Sequence, residues 1–294
     1  MSFVHSIHDI IHRSALSIHR KLTSRLEDAE AQNLLREMIL SNDPCMVARF
    51  GSVEIQGVIN GMLPSPFDFF LKKRTYKYLI NNAGFFPVNR DTVSRFSKLI
   101  LNDMEMLDVL GSWRVEENVF HTKLKNVVKI RLSELVPHPN HEYLSCLQNK
   151  KVLIVSPFAE LVLQQYQHRR EKIWLNTNLL PEYQQLEVVN AVNSIGGGSD
   201  YSSWFDALEA MKDEIDRKDF DIALLGCGAY GFPLAAHIKR IGKKAIHMGG
   251  SLQLLFGIYG KRWENYPYIN DAWIRPRVVD RPKGFENVEK GCYW

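Results

Sequence analysis

The chain has 294 residues, enough for one large α/β domain or two small ones. Its 45% hydrophobic and 24% charged content is that of a folded globular protein and excludes a disordered one. The formal charge of +4 comes with scattered basic residues, which argues against a nucleic-acid partner, and the four cysteines form no C-x-x-C pair, which excludes a zinc ribbon and leaves reduced thiols.

Residues Phe3, Ile7, Ile10, Ile11 and Ile18 recur at helical spacing and predict an amphipathic opening helix. This N-terminus lacks a signal peptide's apolar core and carries Asp9, and no segment reaches the ~18 apolar residues that span a bilayer. A cytoplasmic protein is expected. A basic amphipathic helix can also rest on an anionic membrane surface, so peripheral attachment at the inner face accompanies that expectation, with packing on the protein's own core favoured. His8 and His12 stand four apart without a third ligand.

A second helix, "AEAQNLLREMIL", completes an N-terminal helical segment, residues 1–40. Residues 41–294 read as a single α/β domain, divisible into sub-lobes 41–148 and 149–294. Within it, "CMVARFG" predicts a buried strand and "SVEIQGVING" a helix that opens directly after it. Residues 68–81 and 91–110 predict helices, the second with Asp91 or Thr92 as N-cap. Val152 to Val155 is a strand buried on both faces, followed by a helix from about Phe158. "KIWLNTN" predicts the next strand, "GGGSDYSS" a flexible loop, and "WFDALEAMKDEIDRK" a helix with Trp204, Leu208, Met211 and Ile215 on one stripe. Then come strand "IALLG", a glycine-rich turn, a helix from Pro233 to about Ile241, and strand "KAIHMGG". This alternation implies an α/β, Rossmann-like, doubly wound and mostly parallel sheet.

The turn carries Gly226-x-Gly228-x-x-Gly231, the spacing of a dinucleotide-binding fingerprint. Glycines allow a sharp turn and close backbone approach, and the helix start behind them offers N–H groups suited to a phosphate. An NAD site also needs an acid about 20 residues on for the ribose hydroxyls. From Ile222 to Trp263 there is none, where the chain average would give about five, while the same stretch holds Lys239, Arg240, Lys243, Lys244, Lys261 and Arg262. The pattern therefore indicates an anionic ligand without a ribose-clamping acid. Gly249-Gly250 ends the following strand and adds a second turn at the same sheet edge. Glu160 lies at a third strand end, and Trp263 reads equally as a ring to stack on a base or sugar and as a buried packing residue. His121, His237 and His247 read as packed or solvated rather than catalytic.

Earlier in the chain, "Arg49-Phe-Gly-Ser-Val-Glu54" sets a cation, a glycine turn and a carboxylate at a strand end. Arg49 could clamp a phosphate, and Glu54 could ligate a metal or act as a base. These residues, "NNAGFFPVN", and the block from "LLGCGAYGFPLAAHIKR" through "GCYW" resemble the bacterial GT-D-type glycosyltransferases and their relatives in capsule and O-antigen clusters, from about residue 35 onward. In that family an Asp-x-Glu motif follows Arg-Phe-Gly and binds a divalent cation, Mn or Mg, with the nucleotide-sugar diphosphate. Here Glu54 matches, but Ser52 replaces the first acid and brings no charge.

The resemblance implies transfer of a sugar from a nucleotide-diphosphate donor, a UDP-sugar in the first place, to a glycan or lipid-linked glycan acceptor. It implies Glu54 and Arg49 as catalytic residues and Glu54 with Ser52 as the metal pair. The donor would be held by Gly51, Ser52, Gly226, Gly228, Tyr230, Gly231, Gly249, Gly250, Lys261 and Arg262. Two rivals stay open. One is an S-adenosylmethionine-dependent methyltransferase, against which His247 stands where an acid is wanted. The other is a non-catalytic nucleotide-binding protein, which the loss of an acid at Ser52 favours.

Overall fold

A computed structural model describes residues 25–63, 69–195, 199–281, 284–287 and 291–294. The predicted opening helix, with His8 and His12, and the glycines at 196–198 lie outside the described residues. Seven strands, β1 (Met46–Ala48), β2 (Val109–Ser112), β3 (Val128–Arg131), β4 (Lys151–Ser156), β5 (Gln185–Asn190), β6 (Ile222–Leu225) and β7 (Lys244–His247), form one sheet in the order β3-β2-β1-β7-β6-β4-β5. Every pairing is parallel. The fold is a Rossmann-like α/β sheet.

Alternation along the central strands feeds two cores. Met46, Ala48, Leu153, Val155, Ala223, Leu225 and Ala245 enter one face, and Val47, Val152, Ile154, Ile222, Leu224 and Ile246 the other. Two-sided burial explains why these strands read as unbroken apolar runs. The helices are α1 (Asp28–Leu40), α2 (Ser52–Met62), α3 (Phe69–Ala83), α4 (Arg90–Asp103), α5 (Ala159–Ile173), α6 (Trp204–Asp216), α7 (Gly231–Arg240) and the single turn α8 (Leu252–Leu255). As expected, Trp204, Leu208, Met211 and Ile215 of α6 are all buried. No helix among the described residues is long and apolar enough to cross a membrane.

Three expectations need correction. "KIWLNTN" is not a strand: α5 runs through Ile173 and the chain then turns, with Asn176 at φ 59°. The fifth strand is Gln185–Asn190, an edge strand whose residues are mostly half-exposed, so its polar sequence hid it. The helix expected over 91–110 stops at Asp103, and Val109–Ser112 is β2. Its N-cap is Asn89, whose Oδ1 accepts from the Thr92 N–H at 2.9 Å while Thr92 Oγ1 accepts from the Asn89 N–H at 3.0 Å, a reciprocal box.

The winding places the site. From β1 the chain moves outward through β2 and β3, crosses to β4 and β5, and returns inward through β6 and β7 to close beside β1. At β4 and β6, adjacent strands send their connections in opposite directions. The crevice that opens at the carboxyl ends of such strands is where sheets of this kind bind ligands.

Candidate functional site

A cleft occupies that crevice. The turn after β1 contributes Arg49, Gly51, Ser52, Val53 and Glu54, that after β6 Gly226, Cys227 and Gly228, and that after β7 Gly249 and Gly250. The sheet thus brings together both halves of the predicted site, some 170 residues apart in sequence.

The glycines divide by task. Gly228, at φ +57°, has nothing within 4 Å of where a side chain would begin, so its backbone faces open cleft. Gly249, at φ +66°, lies beneath Arg49, whose Cδ would be 3.4 Å from an added Cβ. Positive φ at both positions is the conformation that glycine adopts without strain. Gly226 meets Leu252 and the Gly249 carbonyl, which presses the two turns together, and Gly250 makes room for Tyr293. Gly231 does not line the cleft. An added Cβ would sit 2.1 Å from His247 Cε1, so this third glycine serves helix–strand packing, its usual office in the fingerprint.

Charge in the cleft is sparse. Among the described residues that line it, Arg49 and Arg262 are the cations and Glu54 the one acid. Burial lowers the proton affinity of the Arg49 guanidinium; Glu54 is the main charge sustaining it, and Arg262 works against it. The Glu54 carboxylate folds back over Gly51, with Oε2 only 1.8 Å from the position a Gly51 Cβ would take. Arg262 donates from Nη1 to Tyr293 Oη at 2.9 Å and lies over that ring, 4.7 Å from its centroid. His247 is 2% exposed, with its pKa pushed down to about 3 by burial and then by Arg49, so it is a neutral packing residue. Burial also pushes the Cys227 thiol well up, which leaves no thiolate nucleophile there.

Several predicted residues stand elsewhere. Lys261 is exposed and outside the lining, its N–H bonded to the Trp294 carbonyl at 3.3 Å. Trp263 packs on Tyr293 at 5.7 Å and does not reach the cleft. Glu160 points into a neighbouring groove, held by Gln164 at 3.0 Å and Arg277 at 3.3 Å. Tyr230 touches the cleft from a buried ring stacked 4.8 Å from Trp204, its hydroxyl 3.1 Å from Ser194 Oγ. His121 lies on the surface, and His237 pairs with Asp216 at 2.7 Å.

Other residues in the cleft escaped the sequence reading. Trp113, just past β2, lines it with the Arg49 guanidinium 5.2 Å and the Arg114 guanidinium 5.0 Å from its ring centroid. Trp113 is pinned by its indole N–H to the Phe50 carbonyl at 2.8 Å, and its backbone N–H donates to Glu117 at 3.0 Å. The fully buried Glu117 carboxylate also takes the Arg114 N–H at 2.9 Å and the Ser112 hydroxyl at 2.5 Å. Asn193, Tyr293 and Trp294 also line the cleft. The terminal Gly-Cys-Tyr-Trp returns to the cleft because the Arg262 N–H bonds the Cys292 carbonyl at 2.9 Å. No spacing rule connects these residues, since they converge only through the sheet.

The Ser52–Glu54 pair does not suit a divalent cation. Mg²⁺ and Ca²⁺ are held by six or more oxygens, with carboxylates prominent among them. Here the donors are one hydroxyl and one carboxylate, and that carboxylate also helps sustain the charge of the half-buried Arg49 guanidinium. No cluster of three or more His, Cys, Asp or Glu able to hold a metal occurs among the described residues.

No family model matches the chain, and no curated protein is similar to it. Two solved structures are similar. One is described as a new glycosyltransferase (DUF1792) from Streptococcus sanguinis, 16% identical, with a TM-score of 0.39 over 78% of this chain and 81% of that one. The other is described as a domain of unknown function 1792, 11% identical, with a TM-score of 0.41 over 86% of this chain and 96% of that one.

Proposed function

We propose that the protein is a glycosyltransferase that takes a sugar from a nucleotide-diphosphate donor. The observation that carries this reading is the meeting of two glycine turns, after β6 and β7, with Arg49 laid across the second and Arg262 at the rim. Such a cradle suits a diphosphate, and Glu54 is the one carboxylate among the described residues that line it.

In the mechanism we propose, the Gly228 and Gly249 turns seat the diphosphate of the donor. Arg49 and Arg262 stabilise the negative charge that grows on it as the sugar leaves, a contribution that is larger in the transition state than in the ground state. Glu54 accepts the proton of the attacking acceptor hydroxyl. The acceptor we propose is a glycan or lipid-linked glycan of the bacterial surface, and the donor a UDP-sugar.

The rival cofactors fit less well. After the glycine turn at β6, the next strand ends in His247-Met248-Gly249, with no acid for a ribose. That removes the clamp on which both NAD and S-adenosylmethionine sites rely.

The test is thermal stability against UDP, GDP, CDP, NAD⁺ and S-adenosylmethionine. A ligand at 100 times its Kd that binds only the native state adds about 2.7 kcal/mol. A shift with one nucleoside diphosphate is expected. A shift with NAD⁺ or S-adenosylmethionine alone, or with nothing, would overturn the proposal.

A further inference from the structure

We infer that this cleft neutralises its diphosphate with two guanidinium groups and works without a divalent cation; the inference rests on the glycosyltransferase reading. Arg49 and Arg262 together carry two positive charges on the wall formed by the β7 turn and Tyr293, the same charge as one divalent ion. Each is held by named contacts. Arg49 is laid over Gly249 and faced by the Trp113 ring, which is itself pinned to Phe50 and Glu117. Arg262 is fixed by its bond to Tyr293 Oη, a residue for which Gly250 and Gly260 make room. Guanidinium groups held in this way offer planar forks that match phosphate oxygens in pairs.

A metal ion in the same place would act against this arrangement. Its one charged protein ligand would be Glu54, and drawing that carboxylate onto a dication would take from Arg49 the charge that balances it. The guanidinium would then face two further positive charges in a partly desolvated cleft, where like charges repel more strongly than in water. Ser52, at the start of α2, adds a hydroxyl but nothing to offset that repulsion. The chemistry needs no metal to balance: the bond from sugar to diphosphate breaks, the bond from sugar to acceptor oxygen forms, and the hydroxyl proton passes to Glu54.

The experiment measures binding of UDP, GDP and CDP to the full chain by melting shift and by calorimetry, once in EDTA and once in Mn²⁺. The same nucleotide is expected to bind in both buffers, with Kd values within about twofold of each other. In EDTA, Arg262→Gln should weaken that binding by about tenfold or more, because a charge-assisted bond to phosphate is lost. Arg262 is exposed, so the variant should melt like the parent when no ligand is present. Binding that requires Mn²⁺ would overturn the inference and leave the transferase reading standing. Wild-type affinity of Arg262→Gln in EDTA would overturn it too. No binding in either buffer would overturn both.

Discussion

Gly231→Ala separates the packing glycine of the turn from the ligand-facing one. A Cβ at Gly231 would lie 2.1 Å from His247 Cε1 and 2.2 Å from Nδ1, and the ring, 2% exposed, can yield only into the small cavity it lines with Phe50 and Phe232. Overpacking of this kind costs about 1–3 kcal/mol. Displacing the ring also breaks the 3.3 Å approach of His247 Nδ1 to the Leu225 carbonyl, which adds about 1 kcal/mol. A total of about 2–4 kcal/mol is expected, or a melting point lower by roughly 4–8 °C in a chain of this size. Gly228→Ala is the control. Nothing lies within 4 Å of its added methyl, so it costs only the strain of φ +57°, about 1–2 kcal/mol, yet it abolishes the nucleotide-induced shift. Urea unfolding of Gly231→Ala, His247→Ala and the double variant forms a cycle in which the clash appears as a coupling of about 1 kcal/mol or more. The reasoning is refuted if Gly231→Ala costs as much in the His247→Ala background as in the parent.

Glu54→Gln should lower kcat by about 100-fold or more while the nucleotide still raises the melting point, as expected of a base that does not hold the diphosphate. Equal loss of activity and binding would assign Glu54 to binding instead. Glu117→Ala strands the Ser112 hydroxyl and two backbone N–H groups in the interior, so urea unfolding should show a loss of about 2–4 kcal/mol. Two contributions to stability against pH oppose each other. His247 stays neutral when folded, so the unfolded chain alone gains its proton below about pH 6.5, and stability falls as pH drops towards 3 by up to about 1.4 kcal/mol per unit. Burial raises the Asp103 pKa to about 6, against the pull of Arg240 at 2.6 Å; the folded protein holds that proton between pH 4 and 6, and stability falls there as pH rises. Asp103→Asn should therefore make stability fall more steeply with acid over pH 4–6 than in the parent, read from urea midpoints, and an unchanged profile would refute the assignment.

Most central strands were legible because burial on both faces leaves an apolar signature that survives without any tertiary knowledge; β2 is the exception, since Val109–Ser112 is buried throughout but follows α4 so closely that its apolar residues continue the helix pattern. β4, β6 and β7 announce themselves in this way, and so does the glycine turn between β6 and α7. β3 and β5 do not, because an edge strand exposes one face and reads as polar sequence: Val128–Arg131 has one fully buried residue, Ile130, and Gln185–Asn190 has Val189. The same limit governs the site. Arg49 and Glu54 flank one turn, and Gly226, Gly228 and Gly231 another, so local spacing reveals each group. Trp113, Asn193 and Tyr293 stand on three further segments that share nothing but the carboxyl edge of the sheet. Spacing also cannot tell a glycine that faces a ligand from one that faces a side chain. Gly228 and Gly231 belong to one motif, yet the first opens onto the cleft and the second onto His247. Only the return of β7 beside β6 brings that histidine against α7, and with it the physical reason for the third glycine.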